Sequence, residues 1–263
     1  RALLTVCGVF FGIVSVIATF TVNGNLSSMV NDELKRAGTY TITVGTSSPQ
    51  GLNTKDAEAC RKYCPAIKRA VEVSGGQFMR VITPTRENFQ EITGVESDFF
   101  DIRKLEASDG RVLSFRDSQE RVAVIGNAVK ETLFGAQNPI GRGVVITQGN
   151  KVMVYFRVVG VLKSQGLPRF ISSGGNPDET VYIPIKALRN YIGYKKGGAL
   201  LVQANSEDDL GHARSQLESL FMFRYKKTLK ILDPREEVAR NRKMVDGMVL
   251  SGIAIGILGL ISG

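Results

Sequence analysis

Two long uncharged runs bracket the chain. The first, Ala2 to Val22, is rich in Val, Ile, Phe and Gly. As a helix it would reach about 31 Å, roughly one hydrocarbon core. A secretory signal is the rival reading, but its apolar region is typically only about 7–15 residues and ends in a small-residue cleavage site. This run is longer and passes into the amphipathic stretch LSSMVNDEL, which favours a spanning helix over residues 1–22. The second run, Gly247 to Gly263, would extend only about 25 Å as helix, short for a span. It is read as the start of a second membrane helix, 247–263, in a piece of a longer protein. Both runs contain GxxxG, at Gly8 with Gly12 and at Gly252 with Gly256. Small residues at that spacing let helix backbones approach closely. Gly is common in membrane helices anyway, so helix packing and chance stand level.

Between these runs the pattern changes period several times. Leu26, Met29, Val30 and Leu34 recur at helical spacing, and Ala37-Gly38 supplies a stop, which predicts a stalk helix over 23–38. Asp233-Pro234-Arg235-Glu236 reads as a helix start, with Asp as N-cap and Pro at the first helical position. It opens a polar helix over 233–246. Together the two would be stalks leading to the membrane; separate surface helices are the plainer alternative.

Tyr40–Val44 alternates as a strand, Lys55–Tyr63 reads as a helix stopped at Pro65, and strands follow near Ala70–Val73 and Gln77–Ile82. Far along the chain come a strand at Ala199–Ala204, a helix at Glu207–Phe221 and a strand at Thr228–Leu232. Joined across the gap, these give β-α-β-β then β-α-β. The fold class expected is therefore α+β, with a ferredoxin-like split lobe over 39–96 plus 197–232. An inserted, β-rich lobe over 97–196 would hold strands at Arg121–Ile125, Gly143–Thr147, Val152–Leu162 and Thr180–Ile185, with helices at Ala128–Phe134 and Lys186–Ile192.

Composition narrows the class. With 43% apolar and 22% charged residues, the chain buries a real core and is neither disordered nor a low-complexity repeat. The net charge of +9 leaves the middle region strongly basic. That could draw anionic lipid headgroups or an acidic partner, although a solvated surface explains it as well. Arg103, Lys104, Arg111, Arg116 and Arg121 form a loose basic set that reads as a solvated face. No aromatic interleaving or nucleic-acid motif accompanies them, so no nucleic-acid partner is expected.

Catalytic chemistry has little to stand on. There is no GxxxxGK[ST], no HExxH and no GxSxG, and the single His, His212, sits on the polar side of its helix. Gly141-Arg142-Gly143 starts like a dinucleotide-binding fingerprint, but Ile146 stands where the third Gly belongs, so it reads as a turn. Neither catalytic, cofactor-binding nor metal-binding residues are assigned. Cys60 and Cys64 lie four apart on a short helix. That spacing leaves Cβ atoms about 5–6 Å apart, against about 3.5–4.5 Å for a disulfide. Two packed thiols, a disulfide made by fraying at Pro65, and a metal or redox role all stay open. Cys7 lies in the first membrane run.

Four stretches in order resemble the permease subunits of MacB/FtsX-type ABC transporters: RALLTVCGVFFGIVSVIA, TGVESDFFDIRKLEASDGRVLS, RVAVIGNAVKETLFGAQNPIGRGVVI, and FRVVGVLKSQG with VYIPIKAL. The third carries Val122, Ile125, Gly126, Leu133, Phe134, Asn138, Pro139, Ile140 and Gly141; Val159, Gly160, Val161, Tyr182 and Pro184 complete the pattern. The resemblance implies an inner-membrane protein with a two-lobed extracytoplasmic domain. It implies ATP and Mg bound by an ABC ATPase elsewhere, a homodimer or paired permease, and in some members a periplasmic adaptor. It also implies mechanotransmission, in which ATP-driven stalk motion moves the outer domain for export, lipoprotein extraction or hydrolase activation. By family position, Phe99-Phe100 packs in the core. A membrane-anchored sensor or adhesion module is the alternative from another class.

Overall fold

The structure, a computed structural model, describes residues 40–45, 51–74, 76–149, 152–165, 175–194, 197–226, 229–232 and 247. The chain divides into two units, 1–35 with 234–263, and 36–233. Every element below belongs to the second. The expected membrane helices 1–22 and 247–263 and stalks 23–38 and 233–246 lie outside the described residues, Gly247 apart. No described helix is long and apolar enough to cross a membrane.

In chain order the elements are β1 (Thr41–Gly45), α1 (Thr54–Tyr63), β2 (Ile67–Val73), β3 (Gln77–Ile82), β4 (Glu87–Val95), α2 (Asp98–Ile102) and β5 (Ala107–Gly110). Then come β6 (Val122–Ile125), α3 (Asn127–Phe134), β7 (Gly143–Gln148), β8 (Val152–Leu162) and β9 (Thr180–Pro184). The last are α4 (Ile185–Ala187), which continues as a π-turn Leu188–Ile192, then β10 (Ala199–Ala204), α5 (Asp209–Tyr225) and β11 (Lys230–Leu232). The mixed α and β content matches expectation.

Four strands at the two ends of this list form one antiparallel sheet, ordered β11-β1-β10-β2. Helices α1 and α5 cover one face. Their apolar stripes, Ala57 and Cys60 on α1 and Leu210, Ala213, Leu217 and Phe221 on α5, pack on Ile42, Val44, Ala70, Leu200 and Val202. Helix α1 starts where it does because Asn53 caps it: the Lys55 N–H donates to its side chain at 2.9 Å, and the Asn53 N–H donates to Asp56 at 3.0 Å. That reciprocal pair satisfies amides the first turn would otherwise strand.

The remaining strands close on themselves. The order β4-β3-β7-β8-β6-β9 returns to β4 through a parallel β9–β4 ladder, Glu91↔Thr180 to Val95↔Pro184. The result is a six-stranded barrel, with β5 added along the far part of β8. Closure removes free sheet edges. Its core gathers Val81, Ile92, Ile125, Val144, Ile146, Phe156, Val158, Val181 and Ile183, and α3 adds Val129 and Leu133. β4 and β5 were not foreseen from the sequence, and one foreseen strand lies in the other lobe. Gln77–Ile82 was expected in the first lobe, but its registers run Gln77↔Ile92 with β4 and Arg80↔Thr147 with β7. It and β4 build barrel wall because their inward residues, Met79, Val81 and Ile92, complete that core.

A third cluster joins the lobes. Val71 of β2 and Leu201 of β10 pack with Val95, Phe99, Phe100, Ile102, Val124, Leu162 and Tyr182. Phe99 and Phe100 meet edge-on at 5.6 Å, and both touch the Tyr182 ring. Strand pairing sets the layout. Thr43 lies opposite Leu232, so the chain enters β1 and leaves β11 at one end of the first sheet. Val73 pairs with Val95 at the opposite end, where the barrel attaches.

Candidate functional site: the junction between the lobes

The chemistry most out of place in this fold is at that attachment. Glu72 is fully buried on β2, next to the first turn of α1. A carboxylate there needs partners, because an unpaired buried charge is costly. It has them: the Thr54 hydroxyl donates to Oε2 at 2.8 Å, and the Arg189 guanidinium pairs with Oε1. Arg189 comes from the π-turn after α4, which belongs to the barrel. This ion pair therefore ties the two lobes across 117 residues of sequence.

A second carboxylate continues the network. The Glu72 backbone N–H donates to Glu96 Oε1 at 3.1 Å, and Glu96 Oε2 lies 3.8 Å from Arg61. Arg61 also donates to the Ala70 carbonyl. Side chains thus satisfy part of the edge of β2 that faces away from β10, beside the pairing of Val73 with Val95. Burial pushes the Glu96 carboxyl above its ordinary value, against the pull of the Glu72 amide and Arg61.

At the same end of the first lobe, α1 and α5 are clasped. Asp56, fully buried, accepts from the Tyr225 hydroxyl at 2.7 Å and lies 3.2 Å from Arg224. Below it Cys60 and Cys64 are free and buried, with the Cys64 N–H donating to the Cys60 carbonyl at 3.0 Å. The disulfide among the sequence alternatives is not made in this structure. Burial first, then the neighbouring Cys64 and Asp56, push the Cys60 thiol up to about 12, which makes it a poor nucleophile and a poor metal ligand. No group of three or more His, Cys, Asp or Glu among the described residues is placed to hold a metal.

Other candidates fall as follows. Gly8, Gly12, Gly252 and Gly256 lie outside the described residues. Phe99 and Phe100 are core. His212 is on the exposed face of α5. Gly141 sits in a turn at φ 79°. Within the basic set, Arg111 grips Asp117 bidentately at 2.5 and 2.9 Å. Arg121 lies over the Tyr191 ring, 5.5 Å from its centre. Sequence reasoning missed Glu72, Arg189 and Asp56 as a set; a buried Glu in an otherwise apolar strand, AVEV, was the available signal. It also missed the apolar outer wall of the barrel, where Phe78, Phe89, Met153 and Tyr155 are each more than half exposed, and where Phe78 and Phe89 line a groove of about 320 Å³.

The two-lobed arrangement has known counterparts. It matches the crystal structure of the periplasmic region of MacB from Actinobacillus actinomycetemcomitans, with a TM-score of 0.66 at 19% identity over 81% of this chain and 97% of that one. It also matches the extracellular domain of the noncanonic ABC-type transporter YknZ from Gram-positive bacteria, with a TM-score of 0.59 at 22% identity over 72% and 99%. At these identities the likeness concerns the fold. The profile of the MacB-like periplasmic core domain matches residues 2–220, and the chain belongs to that family. Among full-length relatives, the pyoverdine export ATP-binding/permease protein PvdT of Pseudomonas aeruginosa is 30% identical over 84% of this chain and 33% of its own length. The macrolide export ATP-binding/permease protein MacB of Chlorobaculum tepidum is 25% identical over 86% and 36%. The chain thus spans about a third of the length of these relatives.

Proposed function

We propose that this chain is the first membrane helix, the extracytoplasmic module and the start of the second membrane helix of an ABC-transporter permease that serves export. The observation that carries the reading is the family match together with the chain path. β1 is entered and β11 is left at one end of the first sheet, and the barrel is held at the other. Stalk motion delivered at the entry end reaches the barrel through one continuous body. Among the described residues, the shared apolar cluster and the Glu72–Arg189 pair tie the lobes together, which supports this reading. Rigid-body displacement of a module is an established way to convert a local event into a remote one.

On this reading the protein sits in the inner membrane with the 36–233 unit outside the cytoplasm. ATP and Mg are bound by an ABC ATPase domain or subunit. The permease works as a homodimer or a pair, with lipid around its helices and a periplasmic adaptor as a further partner. Export is preferred to lipoprotein extraction because the relatives named above carry export names. The test is purification of the full-length protein from its native membrane, followed by an assay of ATP hydrolysis in the eluate. An ATPase on the same chain or on a co-eluting one is expected. Its absence would overturn the permease reading in favour of a membrane-anchored sensor or adhesion module.

A further inference from the structure

The strands that join the lobes meet over little backbone. β2 and β4 share one register pair, Val73 with Val95. On one side of it the Ser74 N–H donates to the Gly94 carbonyl at 2.9 Å, and the Gly94 N–H donates to the Ser74 hydroxyl at 2.6 Å. On the other side the rung is a side chain: the Glu72 N–H donates to Glu96 Oε1 at 3.1 Å. A carboxyl group stands where an antiparallel ladder would offer a backbone carbonyl. Unlike a carbonyl, it can take up a proton.

Glu96 has few partners as an anion. Its side chain is 22% exposed, and among the described residues the Glu72 amide supplies its one hydrogen bond. Arg61, from α1, lies 3.8 Å from Oε2, beyond hydrogen-bond range, and its own N–H goes to the Ala70 carbonyl. Two anions face Glu96: Glu72 from β2, in the other lobe, and Asp98 from α2. Arg189, from the π-turn, is engaged by Glu72. Lys186 of α4 lines a cleft beside Glu96 and makes no ion pair among the described residues. Ser114 and Ser118 line it from the turn before β6. Burial, the largest of these influences, and the two anions favour the neutral carboxyl over the pull of the amide and Arg61. The cleft, about 60 Å³, has room for water and gives a proton its way in. A protonated carboxyl keeps an acceptor oxygen. The rung to the Glu72 N–H therefore survives, while the charge facing Glu72 across the junction is gone.

We propose that Glu96 is a proton-sensitive latch between the lobes: protonated, it fastens the barrel to the first sheet, and ionised, it loosens that attachment. The sign follows from linkage. The stability that Glu96 contributes is complete below the ordinary glutamate value of about 4.3 and declines as pH rises through the raised folded value. In the proposed function the unit lies outside the cytoplasm, where pH follows the surroundings. The latch itself does not depend on that reading, and neither does its test.

The experiment is amide hydrogen exchange on the full-length protein, followed by mass spectrometry of peptides covering 67–74 and 90–97. Rates are corrected for the intrinsic pH dependence of exchange, in steps between about pH 4.5 and about pH 8. In the parent, protection of 67–74 is expected to be greater at the acid end by about threefold or more. Glu96→Gln, which mimics the neutral carboxyl, should hold the acid-end protection throughout. Arg61→Gln removes the cation that favours the ionised form, so its loss of protection should fall at higher pH than the parent's. Circular dichroism melts check that each variant is folded. Parent protection that is constant or falls in acid would overturn the proposal, as would an unchanged pH dependence in Glu96→Gln. If Glu96→Gln does not fold, the parent and Arg61→Gln decide: a midpoint in Arg61→Gln at or below the parent's would overturn it too.

Discussion

Removing Arg189 probes the junction most sharply. Arg189→Ala leaves Glu72, with no exposed surface, holding only the Thr54 hydroxyl in place of a guanidinium. Breaking a buried pair from one side costs about 3–5 kcal/mol. The Arg189 side chain is 28% exposed, so some water reaches the orphaned carboxylate, and the low end, about 3 kcal/mol, applies. For a unit the size of 36–233, each kcal/mol moves Tm by about 2–4 °C, so a fall of about 6–12 °C follows. Glu72→Met with Arg189→Met removes both charges and keeps volume, and should lie within about 1 kcal/mol of the parent, because an apolar replacement spares the desolvation cost. These 263 residues contain no Trp, so their melts are followed by circular dichroism. An Arg189→Ala melt within about 2 °C of the parent would refute the reasoning. A double variant as unstable as the sum of its singles would do the same, since the cycle would then show no coupling.

Three further expectations are independent of that pair. Gly126 ends β6 against the carbonyls of Pro177 and Asp178, where an added Cβ has no room, and the flanking segments are fixed by the Gly126 N–H bond to Thr180 at 2.9 Å. Gly126→Ala should therefore cost about 3 kcal/mol, seen as a lower urea midpoint at unchanged slope. On a Cys7→Ser background, Cys60 should resist a thiol reagent at pH 8 that modifies the urea-unfolded chain fully, and labelling at the unfolded rate would contradict its burial. Because its folded value is raised, the stability linked to Cys60 is complete below the unfolded thiol pKa and declines as pH climbs from about 8.5 toward about 12. Asp117 has the opposite sign: its contribution is present above about pH 4 and is lost as pH falls toward about 2. Asp117→Asn should thus lower Tm at pH 7 and make no difference at the acid end of that range.

Legibility in the sequence followed how closely each strand obeyed a simple rule. β8 was read residue for residue because it alternates, with Val154, Phe156 and Val158 inward. β9 was read as a strand over Thr180–Ile185, and the structure buries all five residues of Thr180–Pro184. β4 was not read at all, because its pattern is inverted: Phe89 is 67% exposed while Gln90 is buried. β5, with the sequence ASDG, owes its strand form to pairing with β8 and carries no strand signal of its own. Helix α5 runs on to Tyr225 because Tyr225 and Arg224 reach back to Asp56, a contact between residues far apart in the chain. The Glu72–Arg189 pair was invisible for the same reason. The ordered motifs identified the family, and their glycines have a physical cause: Gly126 and Gly160 sit where backbone from Asp178 and Arg111 leaves no space for a side chain.

In the proposed function, stalk motion moves the outer module as part of an ATP-driven cycle. The direct measurement is ATP turnover by the complete transporter with a reversible cross-link placed between segments 26–34 and 236–245. The account predicts that turnover changes when the link is closed and returns when it is reduced, while an uncross-linked double-cysteine control keeps its rate. Turnover that is the same with the link open and closed would contradict it.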